Sequence, residues 1–166
     1  VYPKVLIHFS ISSPDYSLLP TAKLNKAVVH ALRSSVDSCL NYEDFQGNEV
    51  LRQQIARLSF DWGGTLREDD VVVTNGCMEA LSLCLKAVTQ PGDAVAIESP
   101  TYYGIFQVIE SLGLKVVEIP SRAESGVDLD HLEDAITRFD IKACLFVCNF
   151  NNPMGSLMPD ENKKQL

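Results

Sequence analysis

Ala143-Cys144-Leu145-Phe146-Val147-Cys148 is an unbroken apolar run that passes directly into Asn149-Phe150-Asn151-Asn152-Pro153-Met154-Gly155. A run of that length without alternation reads as a strand buried on both faces. The amides and the Pro-x-Gly that come next stop the strand, so side-chain hydrogen-bonding groups arrive at its carboxyl end. Ligands bind at that edge in open α/β sheets. Asn and Gly are also ordinary turn residues, and the stretch alone does not decide between the two uses. Two strand exits upstream carry complementary chemistry, Thr74-Asn75-Gly76-Cys77 and Ser99-Pro100-Thr101-Tyr102-Tyr103-Gly104. Anion cradle, aromatic plate and amide, in that order, describe a site for a phosphorylated aromatic ring.

Outward from these exits the alternation is regular. Val71-Val72-Val73-Thr74 reads as a short buried strand, followed by a helix over 77–89 with Met78, Leu81, Leu85 and Val88 inward. Pro91-Gly92-Asp93 turns the chain into a strand over 94–98. A helix over 103–112 is stopped by Gly113, and a strand over 115–119 comes after it. Asp128 or Asp130 caps a helix over 130–138, which leads to the strand over 143–148. Continuous apolar strands joined by crossover helices imply an α/β fold, a three-layer α/β/α arrangement with a mainly parallel sheet.

The first part of the chain is less regular. Through Pro20 it reads as an extended arm. Thr21 is placed to cap a helix over 22–34 with Leu24, Val28, Ala31 and Leu32 on one face. Leu40 to Gly47 reads as a loop. Asn48 caps a helix over 49–60 with Val50, Leu51, Ile55 and Leu58 inward, and Gly63-Gly64 stops it. The expected division is 1–47 as arm, helix and interface loop, and 48–166 as the first part of a large domain. After Gly155 a helix opens at Pro159 or Asp160, and the sequence stops about a turn later. It reads as a truncated chain.

Composition excludes several classes. The 166 residues carry a net charge of −8, with no stripe of Lys or Arg, so this chain is not expected to bind DNA by itself. No apolar run approaches the ~20 residues of a membrane helix. The start, Val1-Tyr2-Pro3-Lys4-Val5, resembles neither a signal nor a transit peptide. Cys39, Cys77, Cys84, Cys144 and Cys148 form no CxxC pair, and His8, His30 and His131 lack metal-ligand spacing. Small core thiols in a reducing cytoplasm fit this pattern, and no metal site is expected.

Each exit admits a specific and a plain reading. Gly76 at a helix start lets an anion approach the N–H groups of Cys77, Met78 and Glu79, aided by the helix dipole; a plain tight turn is the alternative. The segment is neither GxGxxG nor a Walker loop, which disfavours nicotinamide dinucleotides and ATP. Tyr102 can stack on an aromatic ring or pack under the next helix. Asn152 can donate to a phenolate-type oxygen, and Asn151 is its rival.

Together these residues resemble the fold-type I aminotransferases that depend on pyridoxal 5′-phosphate (PLP). Nearly the whole chain takes part. Beyond the exits, the matching segments are Phe9 to Asp15, Tyr42-Glu43-Asp44-Phe45-Gln46-Gly47 with Leu51-Arg52, Val73 to Leu81, and Pro91-Gly92-Asp93. Within that superfamily the chain looks most like the aminotransferase-like domain of MocR-type regulators of the GntR superfamily. The basis is the flavour of Glu-Ser-Pro-Thr-Tyr-Tyr-Gly and Cys-Asn-Phe-Asn-Asn-Pro-Met-Gly.

The resemblance implies that Gly76, Cys77 and Met78 hold the cofactor phosphate, that Tyr102 stacks on the pyridine ring and that Asn152 bonds its 3′-oxygen. Tyr42 would reach the phosphate of the neighbouring subunit in a homodimer. Cys77 stands where relatives often have Ser, and Met154 where they have Thr. The Schiff-base lysine, the Asp on the pyridine nitrogen and the substrate-binding Arg lie downstream in relatives. None of Lys4, Lys23, Lys26, Lys86, Lys115, Lys142, Lys163 or Lys164 has the matching context. This chain is therefore expected to contain no catalytic residue, to be inactive and to be apo. By resemblance, strand 94–98 lies between 115–119 and 143–148, with 71–74 far from them. The implied parent is a cytoplasmic regulator with a winged-helix domain before Val1 and an amino-acid or PLP-adduct effector. The alternatives are a free-standing aminotransferase that converts an α-amino acid to a 2-oxo acid, and a non-catalytic interaction module.

Overall fold

The computed structural model describes residues 14–166, so the matching segment before Pro14 and most of the expected arm lie outside the described residues. The chain divides into two compact units, the first ending at Val72 and the second beginning at Val73. In the first unit, α1 spans Thr21–Ser34, α2 Val36–Leu40 and α3 Glu49–Ser59. Thr21 is the first helical residue of α1 and Pro20 occupies the cap position with no side-chain bond, which corrects the expected cap. The short α2 was not expected from the sequence. Asn48 caps α3 as expected, its Oδ1 accepting from Leu51 N at 3.1 Å. Gly63, at φ +76°, closes the next turn.

The buried face of α3 differs from the expected apolar one. Arg52, Ala56 and Ser59 are buried, whereas Val50, Leu51 and Leu58 are exposed. The three buried residues recur at helical spacing and face the polar turns on either side of the helix. There a guanidinium and a hydroxyl find carbonyl partners that Val or Leu would leave bare. Ser59 Oγ donates to Ala56 O at 2.7 Å and accepts from Leu66 N at 3.1 Å.

In the second unit, α4 spans Cys77–Val88, β1 Ala94–Ser99, α5 Gly104–Ser111 and β2 Lys115–Arg122. It continues with β3 Gly126–Val127, α6 Leu129–Arg138, β4 Ile141–Leu145 and α7 Asp160–Gln165. The sheet order is β3-β2-β1-β4. β1 pairs parallel with β2 and β4, as expected, and β3 adds a short antiparallel rung at Ser121 and Arg122. The two faces of β1 enter different cores. Val95 and Ile97 pack with Leu85, Ile105 and Ile109, while Ala96 packs with Ile119, Leu132, Ala135 and Met158. Covered faces on both sides confirm the α/β class. Val88, expected inward on α4, is exposed.

Two strand expectations need correction. Val71-Val72-Val73-Thr74 is no strand; Val71 is extended, but the segment pairs with nothing among the described residues, and Val72 is exposed. Extended backbone without a neighbouring strand makes no ladder. β4 begins at Ile141 and ends at Leu145, so Phe146, Val147 and Cys148 leave the ladder. Their main-chain groups bond elsewhere: Val147 N donates to Glu98 Oε1, and Cys148 O accepts from Met158 N.

Asp128, not Asp130, caps α6, with Oδ1 accepting from His131 N at 3.1 Å, and Arg122 Nη2 lies 3.5 Å from Oδ2. The His131 side chain and then its N–H hold the Asp128 carboxyl below its usual range. A depressed carboxyl stabilises the fold above its unfolded pKa and loses that contribution as pH falls through the folded value. Asp128→Ala is expected to cost about 1 kcal/mol at neutral pH. Asp128→Asn is expected to keep most of the cap while flattening the acid limb of stability. Urea unfolding across pH 2 to 7 checks both.

Candidate functional site

β1 and β4 run parallel, so their exits, Ser99 to Tyr103 and Asn149 to Gly155, lie at the same edge of the sheet. α4 returns to β1 through the short connection 89–93, and Leu85 packs on Val95 and Ile97. The helix thus runs back against the strands, with Gly76 to Met78 toward that carboxyl edge. Three of the expected contact groups therefore belong to one edge of one unit. Tyr42 belongs to the other unit and is described with it below.

At the start of α4, Gly76 adopts φ +94° and ψ 172°, a backbone region open to glycine alone. A methyl group built there would meet nothing within 4 Å, so the space in front of this turn is open. Thr74 Oγ1 donates to Gly76 O at 3.0 Å and Ala80 N donates to the same oxygen at 3.3 Å. No side chain caps the helix, and among the described residues nothing accepts from the N–H of Cys77 or Met78. Glu79 turns its carboxylate back onto Asn75 N. The donors available to an anion are main-chain N–H groups, since the exposed Cys77 thiol is a weak donor.

At the exit of β1, the Tyr102 and Tyr103 rings lie 4.7 Å apart, inclined at 48°. Hydrogen bonding with the Tyr103 side chain, then its charge, holds the Tyr102 phenol above its usual value. Tyr102 lies flush against Gly104, where a methyl group would overlap its Cε1 and sit 3.0 Å from Cζ. Sequence reasoning missed this role of Gly104, because glycine opening a helix reads simply as part of a turn.

The exit of β4 separates the two asparagines. Asn151 is buried; its Oδ1 accepts from Met154 N at 2.9 Å and its carbonyl accepts from Gly155 N at 2.6 Å. Asn152 is exposed on the same turn. Asn151 Oδ1 thus holds the turn while its buried Nδ2 donates to nothing among the described residues, and Asn152 is the amide presented to solvent. Phe150 sits at φ +54°, left-handed for a non-glycine residue, where the chain bends into the turn. The peptide bonds Ser99-Pro100 and Asn152-Pro153 are both cis.

In the first unit, Tyr42 and Phe45 stand fully exposed on one loop. Arg52, buried beneath it, donates Nε to Gly47 O at 3.1 Å, and Nη1 to Gln46 Oε1 at 3.0 Å and Glu68 O at 3.1 Å. Asp44 and Asp69 lie 4.0 and 3.8 Å from the guanidinium. Arg52 therefore holds the loop that carries Tyr42, a role that its place in Leu51-Arg52 did not disclose.

The chain matches the aminotransferase class I and II family over residues 4–166. It is 40% identical over 159 residues to the HTH-type transcriptional regulator YjiR of Escherichia coli, covering 96% of this chain and 34% of the relative. It is 30% identical to the 2-aminoadipate transaminase of Thermus thermophilus, over 97% of this chain and 39% of that protein. Among solved structures, the α-aminoadipate aminotransferase LysN of Thermus thermophilus, complexed with N-(5′-phosphopyridoxyl)-L-leucine, superposes with a TM-score of 0.82. That match has 30% identity and covers 92% of this chain and 38% of the other. The chain spans about a third of the length of the curated relatives it matches.

Two substitutions test the separation of the asparagines. Asn151→Ala is expected to lower stability by about 1–3 kcal/mol, because Met154 N loses a buried acceptor. Asn152→Ala is expected to stay within about 0.5 kcal/mol of wild type. Gly104→Ala is expected to leave stability within about 1 kcal/mol, since the clashing ring is the free end of a side chain and alanine favours the helix. It should displace Tyr102, read as loss of the Tyr102–Tyr103 ring contact in NMR spectra.

Proposed function

Since the chain belongs to the aminotransferase class I and II family, we propose that it is the PLP-binding, aminotransferase-like part of a MocR-type transcriptional regulator. The observation that carries the cofactor half is the exposed Asn152 beside a buried Asn151, at the sheet edge that also presents Tyr102 and the turn at Gly76. The regulator half is supported by the HTH-type relative, at 40% identity against 30% for the transaminase.

In this reading the N–H groups of Cys77 and Met78 bond the phosphate of the cofactor, with Gly76 leaving room for its approach. Tyr102 covers one face of the ring, and the Asn152 amide donates to the ring oxygen and favours its anionic form. Tyr42 contributes to the phosphate site of a second subunit in a cytoplasmic homodimer. Bound PLP supplies an aldehyde for amines and an electron sink, so the effector is PLP or its adduct with an amino acid. No lysine of this chain is assigned to that chemistry, and the chain by itself carries no catalytic residue. With a net charge of −8, contact with DNA belongs to a part of the protein other than this chain.

The second reading, an aminotransferase acting on an α-amino acid, is favoured by the resemblance to 2-aminoadipate transaminase. DNA binding of the full-length gene product that responds to PLP supports the regulator; transaminase turnover without DNA affinity supports the enzyme. For the site itself, pyridoxine 5′-phosphate is the probe, because it lacks the aldehyde and needs no lysine. A few net hydrogen bonds and one ring contact set an expected dissociation constant of about 1 mM. Asn152→Ala and Tyr102→Ala are each expected to weaken it about fivefold or more in NMR titrations. Unchanged affinity in both variants would refute the site.

A further inference from the structure

Glu98 is the one ionisable side chain of the second unit that is buried, and the function proposed above gives it no part. It is also the residue that breaks the apolar run Val95-Ala96-Ile97, at the carboxyl end of the central strand. We infer that Glu98 is the positioning residue for Asn152: its carboxyl group replaces the missing rung between β1 and β4 and so sets where the asparagine loop stands. The inference rests on the site reading for its functional meaning and on the hydrogen bonds for its structural content.

The last paired residues of β1 and β4 are Ile97 and Leu145. Beyond them the main-chain ladder stops, and Glu98 Oε1 accepts from Val147 N at 2.8 Å. On the other side, Ser121 Oγ of β2 lies 3.5 Å from Glu98 Oε2. One carboxyl group therefore reaches both neighbours of the central strand.

After Val147 the chain closes on itself. Asn149 pairs with Leu157, Phe150 N donates to Ser156 O at 2.7 Å, and Met158 N donates to Cys148 O at 2.8 Å. Such a closed loop moves as a unit, and its place relative to the sheet depends on its two stems. Met158 anchors one stem in the core beside Ala96 and Ile119, where Gly126 leaves it room. Glu98 anchors the main chain of the other, on which Phe146 and Cys148 pack against the same core. Among the described residues Asn152 makes no side-chain hydrogen bond of its own; Asn151 holds the turn it stands on, and this bond sets where that turn stands relative to the sheet. A glutamate also suits the task in length, because aspartate is one methylene shorter and withdraws the acceptor from Val147 N. Glutamine keeps the reach: its amide oxygen accepts from Val147 N, and its NH₂ faces the Ser121 hydroxyl, which rotates to accept.

The test compares Glu98→Asp, Glu98→Gln, Asn152→Ala and Glu98→Asp/Asn152→Ala with wild type. The measurements are site-resolved amide hydrogen exchange and NMR titration with pyridoxine 5′-phosphate. In Glu98→Asp, exchange at Val147 is expected to rise about tenfold or more relative to Ala96, and affinity to fall at least threefold. Glu98→Gln is expected to restore both to within twofold of wild type. The double variant is expected to bind no more weakly than Asn152→Ala, since both changes act on one contact. Unchanged exchange at Val147 in Glu98→Asp would overturn the tether. Faster exchange with undiminished affinity, where Asn152→Ala does weaken binding, would overturn the positioning role. If Asn152→Ala leaves affinity unchanged, the ligand assignment of Asn152 falls separately, and the exchange result still decides whether Glu98 holds the loop.

Discussion

Four consecutive buried residues, Val95 to Glu98, set the terms for the second unit. A strand buried on both faces must find a ladder on each edge and apolar cover above and below. Otherwise its main-chain groups or its side chains are left without partners. β2 and β4 supply the edges, α4 and α5 cover Val95 and Ile97, and α6 covers Ala96. Once β1 is central, the parallel direction of its neighbours brings the exits of β1 and β4 to one edge. The fold therefore places a polar edge on an apolar core, with the polar side chains gathered in the few residues that end the strands.

Those endings divide their labour. Along Asn149 to Gly155, polar side chains of like chemistry do different work according to burial. Asn151 lies inside, its oxygen holding the turn and its Nδ2 unpartnered among the described residues, whereas Asn152 lies outside and faces solvent. The same division holds at the exit of β1, where Gly104 gives up its side chain so that the Tyr102 ring can lie flat. At the start of α4, Gly76 supplies a conformation and a carbonyl acceptor and leaves the space in front of the turn open. Glycine and asparagine thus appear here both as scaffolding and as presented groups, and only burial tells which is which.

The first unit is organised on polar rather than apolar burial. Arg52 is its one buried charge among the described residues, and three acceptors with two flanking carboxylates meet it. A buried guanidinium is tolerable only with its donors matched, and the matching fixes the loop from Asp44 to Gly47 and the turn at Glu68. The apolar residues of α1 and α3 that periodicity marks as a face are exposed instead, including Leu24, Val28, Leu32 and Leu58.

Periodicity and turn chemistry were sufficient for the α/β class and for the helices at 49–59, 77–88, 104–111 and 129–138 within a residue or two, whereas the central place of 94–99 followed from the family resemblance. The class and the helices are legible because continuous apolar runs, Asn and Asp caps and Gly stops act over a few residues. The residue types gathered at the sheet edge were legible for the same reason. Which acid holds the end of β4 and which glycine makes room for Met158 were not, since each depends on a partner far away in sequence: Glu98 meets Val147, and Met158 meets Gly126. The valines at 71–73 carry a strong strand signal and still form no strand among the described residues. Propensity is a property of a segment, but a ladder needs a second strand, and only the tertiary structure supplies one or withholds it.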